Sequence, residues 1–215
     1  MKQTTPIPFA GSQLAGSRHV CAFFNDDDEA YRVLLPFIRD GFECNHKAVH
    51  IVNPEAYGSH RQRLIAAGID IGTAEERGQL DLRTNTETYL RNGRFDPDRM
   101  LETFEALASG DAASRFPLSR IVCHMEWATT GEPCIDRLIE FESRVNHIWQ
   151  RHDDAVICTY NLARFSGDTV IDIMRTHPMV IIGGVLQQNP FYVPPDRFLL
   201  ELRERRTAQS AALRS

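Results

Sequence analysis

The pattern of hydrophobic and polar positions along the chain predicts alternating strands and helices. Short apolar runs are typical of buried strands, and longer segments with apolar residues at helical spacing are typical of helices. Because helices separate successive strands, the pattern indicates an α/β fold with a mainly parallel sheet and helices on both faces. The predicted strands cover residues 19–24, 48–52, 80–83, 120–127, 155–161 and 180–187, and the predicted helices cover residues 28–40, 55–67, 97–109, 133–151 and 166–176.

The two ends of the chain predict less regular structure. Residues 1–17 contain prolines and glycines among small polar residues, which favours a flexible N-terminal arm. The length of 215 residues fits one domain, which we assign to residues 18–202. A terminal helix is predicted over residues 198–206, and residues 203–215 are assigned to a C-terminal tail.

Charge and composition narrow the possible function classes. A formal net charge of −5 argues against direct nucleic-acid binding, because affinity for a phosphate backbone comes mainly from clustered Lys and Arg. The sequence has no secretory signal pattern and no apolar segment long enough to cross a bilayer, so we expect a cytoplasmic protein without membrane contact. Five scattered cysteines without a CxxC pair indicate reduced thiols, with neither a disulfide framework nor a zinc ribbon.

The turn after the first predicted strand lacks a phosphate-binding loop. In parallel α/β sheets, ligands bind beyond the carboxyl ends of the strands, and nucleotide-binding proteins place a glycine-rich loop there. This chain has N-D-D-D at residues 25–28 instead, and its only lysines are Lys2 and Lys47. Acidic side chains repel phosphate, so ATP hydrolysis by that machinery is excluded.

Three residues of the first predicted strand share a face. His19, Cys21 and Phe23 alternate along the strand and therefore point the same way, which offers a ligand an imidazole, a thiol and an aromatic ring in one line. The simpler interpretation, which the sequence favours, is that Cys21 and Phe23 belong to the core and that His19 begins the strand.

Further candidates lie at the ends of two other strands. Glu126 and Trp127 end an apolar strand, where an acid can orient a ligand or act as a general base. The structural alternative for Glu126 is a helix cap or an ion pair, for example with Arg144. Cys158 and Tyr160 form a second alternating pair of thiol and aromatic ring.

Two other chemistries stay open. A thiol of Cys21 or Cys158, paired with His19 or His177, is the arrangement of a cysteine-dependent enzyme. A histidine with a cysteine is also the arrangement of a metal, haem or redox sensor, although the long separations along the chain make this a weak signal. Glu142 interrupts the apolar stripe of the longest predicted helix.

The order of five motifs resembles the MEDS family, the methanogen/methylotroph sensory domain found in regulators of the DcmR kind. The motifs are H-V-C-A-F-F at 19–24, E-W at 126–127, C-T-Y-N at 158–161, R-T-H-P at 175–178 and N-P-F-Y-V-P-P at 189–195. The resemblance extends from about residue 18 to residue 201. It implies a RecA/KaiC-like three-layer sandwich with a degenerate phosphate loop, and a sensory role in which small molecules such as hydrocarbon derivatives are bound.

The resemblance also implies a ligand-binding site. Its motif positions mark nine residues: His19, Cys21, Phe23, Phe24, Glu126, Trp127, Cys158, Tyr160 and His177. In a RecA-like strand order the first strand lies beside the strand of Cys158, which lies beside the strand that ends at Glu126. We therefore expect seven candidates on these three strands to converge at one cavity: His19, Cys21 and Phe23, Glu126 and Trp127, and Cys158 and Tyr160. We expect no catalytic residue, no metal and no cofactor.

The leading hypothesis from the sequence is a sensor that is not an enzyme. It binds a small, hydrocarbon-derived ligand and signals in trans to a protein partner, either a kinase or a transcription regulator. A homodimer through the terminal helix is one arrangement for such association, because Leu199, Leu200 and Leu202 add apolar surface to that helix.

Overall fold

A seven-stranded sheet forms the centre of the protein. The computed structural model describes residues 5–109, 115–129 and 135–212. The strands are β1 (Ile7–Phe9), β2 (Ser12–Leu14), β3 (His19–Phe24), β4 (Lys47–Val52), β5 (Leu80–Thr84), β6 (Ser119–His124), β7 (Ala155–Asn161), β8 (Met179–Ile182) and β9 (Val185–Gln188). In the seven-stranded sheet the order is β5-β4-β6-β7-β3-β8-β9, and all neighbours are parallel except β8 and β9. The predicted α/β class with a mainly parallel sheet is confirmed.

The central strands are buried on both faces. Every residue of β3 and β6 is buried, which is typical of a parallel sheet covered on both sides. β7 lies between β3 and β6, so the expected neighbour relation of these three strands is confirmed. Alternate side chains of β3 enter two different cores: Cys21 and Phe23 enter the first core, and Val20 and Phe24 enter the second core.

The described helices cover both faces of the sheet. The helices are α1 (Asp27–Glu43), α2 (Tyr57–Ala66), α3 (Ile71–Glu76), α4 (Pro97–Ser109), α5 (Ile135–Arg144), α6 (Asn146–Trp149), α7 (Gly167–Thr176) and α8 (Pro195–Ala212), and short 3-10 turns cover Pro54–Ala56, Arg91–Gly93 and Glu126–Thr129. α4 to α8 contribute to the first core, and α1 to α3 contribute to the second core. Asp26 caps α1, because its side chain accepts a hydrogen bond from the Glu29 backbone N–H at 2.8 Å. Among the described residues, no helix combines the length and apolar character that crossing a bilayer requires.

Two predicted elements end at different places in the structure, and glycines lie at both. The predicted last core strand, residues 180–187, is a hairpin of β8 and β9 instead. Gly183 and Gly184 between them have φ angles of +59° and +75°, which favour glycine and allow the chain to reverse. α1 continues past residue 40 through Gly41, where a Cβ atom would lie only 2.8 Å from Cδ of Arg120.

The helix predicted over residues 133–151 is divided into α5 and α6. The side chain of Asn146 donates hydrogen bonds to the backbone carbonyls of Glu142 and Ser143, at 2.9 and 3.2 Å. Such a side-chain bond competes with the regular helical ladder, which accounts for the break. Pro133, the predicted start of this helix, lies outside the described residues.

The N-terminal segment is more ordered than predicted. Instead of a flexible arm, residues 7–14 form an antiparallel hairpin of β1 and β2. Ile7, Phe9 and Leu14 are buried in the second core, and the ring of Phe9 lies 4.3 Å from the ring of Phe37. Burial of three large side chains in an eight-residue segment explains why this segment is ordered.

The C-terminal segment also differs from the prediction. The tail assigned to residues 203–215 is helical as far as Ala212, as part of α8. α8 buries Phe198 and Leu202 in the first core. Of the three leucines expected to provide apolar surface, Leu199 is half-buried and Leu200 is exposed. The helix therefore uses most of its apolar surface within its own domain.

Candidate functional site

A crevice of about 600 Å³ opens at the carboxyl ends of the parallel strands. This edge is where open α/β sheets bind their ligands. The walls come from the residues that follow β3 to β7 and from the first turns of α1. We call it the carboxyl-end crevice, and it is lined by Asp26, Asp27, Asp28, Tyr31, Asn53, Pro54, Glu55, Ala56, Asn85, Thr86, Leu90, His124, Glu126, Trp127, Asn161 and Arg164.

The carboxyl-end crevice is acidic. Five of its lining residues carry carboxylates, whereas Arg164 alone among them carries a guanidinium. The three aspartates of residues 26–28 occupy the turn after β3, where a phosphate-binding protein has glycines. Their charge opposes phosphate and favours a neutral or cationic ligand.

Glu126 is held in a fixed position at the crevice. Its Oε1 atom accepts a hydrogen bond from the Asn161 backbone N–H at 3.1 Å, and its Oε2 atom accepts one from the Asn53 side chain at 3.3 Å. The sequence predicted a strand that continues to Trp127, but β6 ends at His124 and a 3-10 turn follows. This turn directs the Glu126 carboxylate across the ends of β4 and β7.

Trp127 forms an aromatic wall of the crevice. Its indole stacks on Tyr89 with a centroid distance of 4.7 Å and an interplanar angle of 20°, and it also lies 4.7 Å from Phe95. Only 3% of Trp127 is exposed. The residue therefore supports the first core and offers a ligand only a small part of its surface.

A buried chain of polar side chains leads from the crevice into the second core. The hydroxyl of Tyr31 lies 2.6 Å from Nδ1 of His60, and Nε2 of His60 lies 3.0 Å from Nδ1 of His50. The His124 ring lies 5.9 Å from the His60 ring. Burial is the main cause that lowers the pKa of His50 to about 3 and the pKa of His60 to about 2, and repulsion from neighbouring imidazoles is the second cause. Both imidazoles are therefore neutral near pH 7.

A second polar cluster lies inside the first core. We call it the His-Glu-Cys cluster: His19 from β3, Glu142 from α5, Cys158 from β7 and His177 at the end of α7. Nε2 of His19 lies 3.3 Å from Oε2 of Glu142, and Nε2 of His177 lies 3.4 Å from the same oxygen. Sγ of Cys158 lies 3.6 Å from Nε2 of His19. All four residues are buried.

Burial and the neighbouring side chains together set the protonation of this cluster. Burial and repulsion from His177 lower the pKa of His19, against the effect of Glu142. Burial raises the pKa of Glu142, but the neighbouring imidazoles of His177 and His19 outweigh it and lower that pKa overall. A hydrogen bond with Cys123, together with burial, raises the pKa of the Cys158 thiol. The cluster therefore holds the Glu142 carboxylate beside a protonated Cys158 thiol.

The sequence matches the model of the MEDS domain, described as the MEthanogen/methylotroph, DcmR Sensory domain, over residues 18–178. The chain belongs to the MEDS family. It is also 23% identical over 181 residues to the transcriptional repressor DcmR of Methylorubrum extorquens. This alignment covers 82% of the chain and 64% of the repressor, so the chain spans less than two thirds of that relative's length. The family expected from the motifs is confirmed, and a sensory or regulatory role is supported.

The fold of this MEDS domain is similar to that of a KaiC-like protein. The crystal structure of such a protein from Pyrococcus horikoshii OT3 matches it with a TM-score of 0.57 at 15% identity, over 78% of this chain and 72% of that chain. The match confirms the expected RecA/KaiC-like fold. At this identity it concerns the fold alone.

The MEDS motif residues occupy different parts of this fold. The alternation of side chains in β3 sends Phe24 into the second core, away from Phe23. This corrects the expectation that Phe24 shares a site with the other motif residues. Of the nine motif residues, only Glu126 and Trp127 line the carboxyl-end crevice, so these two lie apart from the rest. Glu126 and Trp127 line the carboxyl-end crevice, His19, Cys158 and His177 belong to the His-Glu-Cys cluster, and Cys21, Phe23 and Tyr160 pack in the first core.

Sequence reasoning missed several polar residues of the two sites. His50 and His124 interrupt apolar strands, and this was a signal that they are buried polar groups needing partners. Tyr31 and His60 lie on helices and have no comparable signal. Glu142 did stand out as a polar residue on an apolar helical stripe, and the structure places it at the centre of the His-Glu-Cys cluster.

Proposed function

We propose that this MEDS domain binds a small organic molecule in the carboxyl-end crevice and reports it to a protein partner in trans, without catalysing a reaction. The observation that carries the proposal is the position of Glu126. Its carboxylate is half-buried at the ligand-binding edge of the sheet and is oriented by Asn161 and Asn53. An ionised carboxylate accepts about four hydrogen bonds, so Glu126 retains capacity for a donor on a ligand.

The crevice chemistry favours a neutral or cationic ligand. The five carboxylates of the lining oppose anions, and no glycine-rich loop follows β3. Trp127 and Leu90 supply apolar contact beside the acids. A small hydrocarbon-derived molecule with one hydrogen-bond donor or one positive charge therefore fits this crevice, whereas a nucleotide does not.

The state of the thiols supports a role without catalysis. Burial is the main cause that raises the pKa of Cys21, and a hydrogen bond with Cys123 and burial raise the pKa of Cys158. A nucleophilic cysteine needs a lowered pKa and access to solvent. Both thiols have the opposite properties, which disfavours the cysteine-dependent enzyme.

Signalling in trans agrees with the regulatory character of the family. DcmR is named a transcriptional repressor and is longer than the alignment with this chain. We infer that a regulatory partner protein reads the ligand state of this domain. A homodimer through α8 has less support, because Phe198 and Leu202 are already buried within the domain.

A thermal-shift screen tests the crevice proposal. The wild-type protein is compared with Glu126→Gln and with the matched control Glu204→Gln, which changes an exposed glutamate of α8. The ligand panel contains small neutral, cationic and anionic organic molecules. We expect a neutral or cationic class to raise the Tm of the wild type and of the control, but not that of Glu126→Gln. An equal response in Glu126→Gln, or stabilisation by anions alone, contradicts the proposal.

A further inference from the structure

The His-Glu-Cys cluster is the strongest concentration of metal-binding chemistry that the described residues contain. It offers two imidazole nitrogens, one carboxylate oxygen and one sulfur, all within 4.8 Å of one another. None of the four residues lines the carboxyl-end crevice. The role of this cluster is therefore a separate question, which does not depend on the proposed function.

The contacts of both imidazoles with Glu142, and of His19 with Cys158, fit the ligand spacing of a tetrahedral ion better than they fit direct ion pairs. The closest contacts of Glu142 Oε2 to the two imidazoles are 3.3 and 3.4 Å, and Cys158 Sγ lies 3.9 Å from the same oxygen. Charge-assisted N–H to carboxylate bonds are shorter, at about 2.7 to 2.9 Å. Ligand bonds of about 2.0 to 2.3 Å around a tetrahedral ion separate the ligand atoms by about 3.3 to 3.8 Å.

The surrounding hydrogen bonds point both Nε2 lone pairs into the cluster. Asn146 Nδ2 donates to three backbone carbonyls, including that of Thr176 at 2.8 Å, so its Oδ1 atom is the acceptor that faces His19 Nδ1 at 3.0 Å. His177 Nδ1 lies 2.8 Å from the carbonyl of Ile173, which can only accept. Each imidazole therefore carries its proton on Nδ1, and its Nε2 atom is free to bind a cation.

A hydrogen bond also orients the Glu142 carboxylate towards the two imidazoles. Oε1 of Glu142 accepts a hydrogen bond from the Tyr160 hydroxyl at 2.8 Å, which leaves Oε2 to face both imidazoles. Two lone pairs and a carboxylate oxygen repel one another unless a cation lies among them. A single proton can neutralise only one of these contacts, whereas a metal ion satisfies all four ligand atoms at once.

Charge balance selects a divalent ion. When Cys158 binds as a thiolate, it and Glu142 contribute two negative charges, and the two neutral imidazoles contribute none. A divalent cation makes the site neutral, which is the least costly state for a site buried to this degree. Nitrogen and sulfur ligands favour late transition metals over calcium and magnesium, which prefer oxygen.

We propose that His19, Glu142, Cys158 and His177 form a closed tetrahedral site for a divalent transition metal ion of the zinc class. Four protein ligands without an open position are typical of a structural metal site. The site joins β3 and β7 of the sheet to α5 and to the end of α7. Because all four ligands are buried, the ion enters as the domain folds. The proposal differs from the expectation, drawn from the sequence, that the protein holds no metal.

Refolding with cobalt tests the site directly. The protein carries Cys44→Ser and Cys134→Ser, because Cys44 is exposed and Cys134 lies outside the described residues, so neither thiol can bind the probe. This protein is unfolded in denaturant that contains a chelator, and it is then refolded in the presence of Co²⁺. We expect one Co²⁺ per chain, the visible absorption of a tetrahedral site and a thiolate-to-cobalt charge-transfer band. We also expect Zn²⁺ to displace Co²⁺ and remove these bands.

A matched pair of cysteine variants identifies the ligand. Cys21 is paired with Cys158 in register on the same face of the sheet, is equally buried, and lies outside the cluster. We expect Cys158→Ala to lose the charge-transfer band and Cys21→Ala to keep it. If Cys158→Ala does not fold, the cobalt stoichiometry and the charge-transfer band of the protein with Cys44→Ser and Cys134→Ser decide whether the site exists. Substoichiometric cobalt, absence of the charge-transfer band, or its persistence in Cys158→Ala overturns the proposal.

Discussion

Acid should destabilise this protein through the histidines behind the crevice. His50 and His60 are buried and neutral, with pKa values lowered to about 3 and about 2. In the unfolded chain the pKa of each imidazole returns to about 6.5. Because the folded pKa values lie below the unfolded value, the unfolded state binds more protons in acid. The stabilisation is therefore complete above about pH 6.5 and is lost as the pH falls towards the folded pKa values.

The magnitude follows from these pKa differences. Between pH 7 and pH 5, each buried imidazole lowers the free energy of unfolding by about 2 kcal/mol, and the pair lowers it by about 4 kcal/mol. Domains have total stabilities of about 5 to 15 kcal/mol, so the effect is a large fraction of the whole. Below about pH 5.5 each imidazole contributes a slope that approaches about 1.4 kcal/mol per pH unit.

Urea unfolding at several pH values between 4.5 and 7 measures this slope. The variant His50→Gln removes one buried imidazole, and the control His147→Gln removes an imidazole that is exposed on α6. We expect the slope of His50→Gln below about pH 5.5 to be lower than that of the wild type by about 1.4 kcal/mol per pH unit, and the control to match the wild type. Equal slopes in all three proteins would refute the reasoning, whatever their absolute stabilities.

Three further predictions concern the metal site, the crevice and the N-terminal hairpin. Tyr160→Phe removes the hydrogen bond to Glu142 and should weaken metal affinity about tenfold in a chelator competition, with the charge-transfer band retained; unchanged affinity contradicts this role of the hydroxyl. Mg-ATP at millimolar concentration should not raise the Tm, because the crevice is acidic, and a rise of several degrees contradicts that argument. Leu14→Ala should lower the free energy of unfolding by about 2 to 4 kcal/mol in urea, whereas a loose arm would give no change.

The apolar pattern was sufficient for most of the sheet. The boundaries of β3 and β7 were predicted correctly, because each is a continuous apolar run whose ends are marked by polar residues. The β1–β2 hairpin was missed because its two strands have only three residues each, which is too short for a period to appear. The β8–β9 hairpin had a signal in Gly183-Gly184, a pair typical of tight turns.

The sites were harder to predict than the sheet. Alternation along β3 correctly placed His19, Cys21 and Phe23 on one face, but it could not show that α5 brings Glu142 over that face. The cluster joins His19 to residues more than 100 positions further along the chain, so only the tertiary fold brings them together. The position of Glu126 in the 3-10 turn after β6 depends on hydrogen bonds to Asn161 and Asn53, which no local sequence pattern predicts.

Native mass spectrometry of freshly purified protein tests the central claim, that the carboxyl-end crevice holds a small organic ligand, most directly. It distinguishes an organic adduct from a bound metal ion by mass, so it separates this claim from the metal proposal. We predict a stoichiometric organic adduct on the wild type and on Glu204→Gln, and its loss from Glu126→Gln. The same adduct on Glu126→Gln, or protein without an organic adduct in all three samples, would contradict the account.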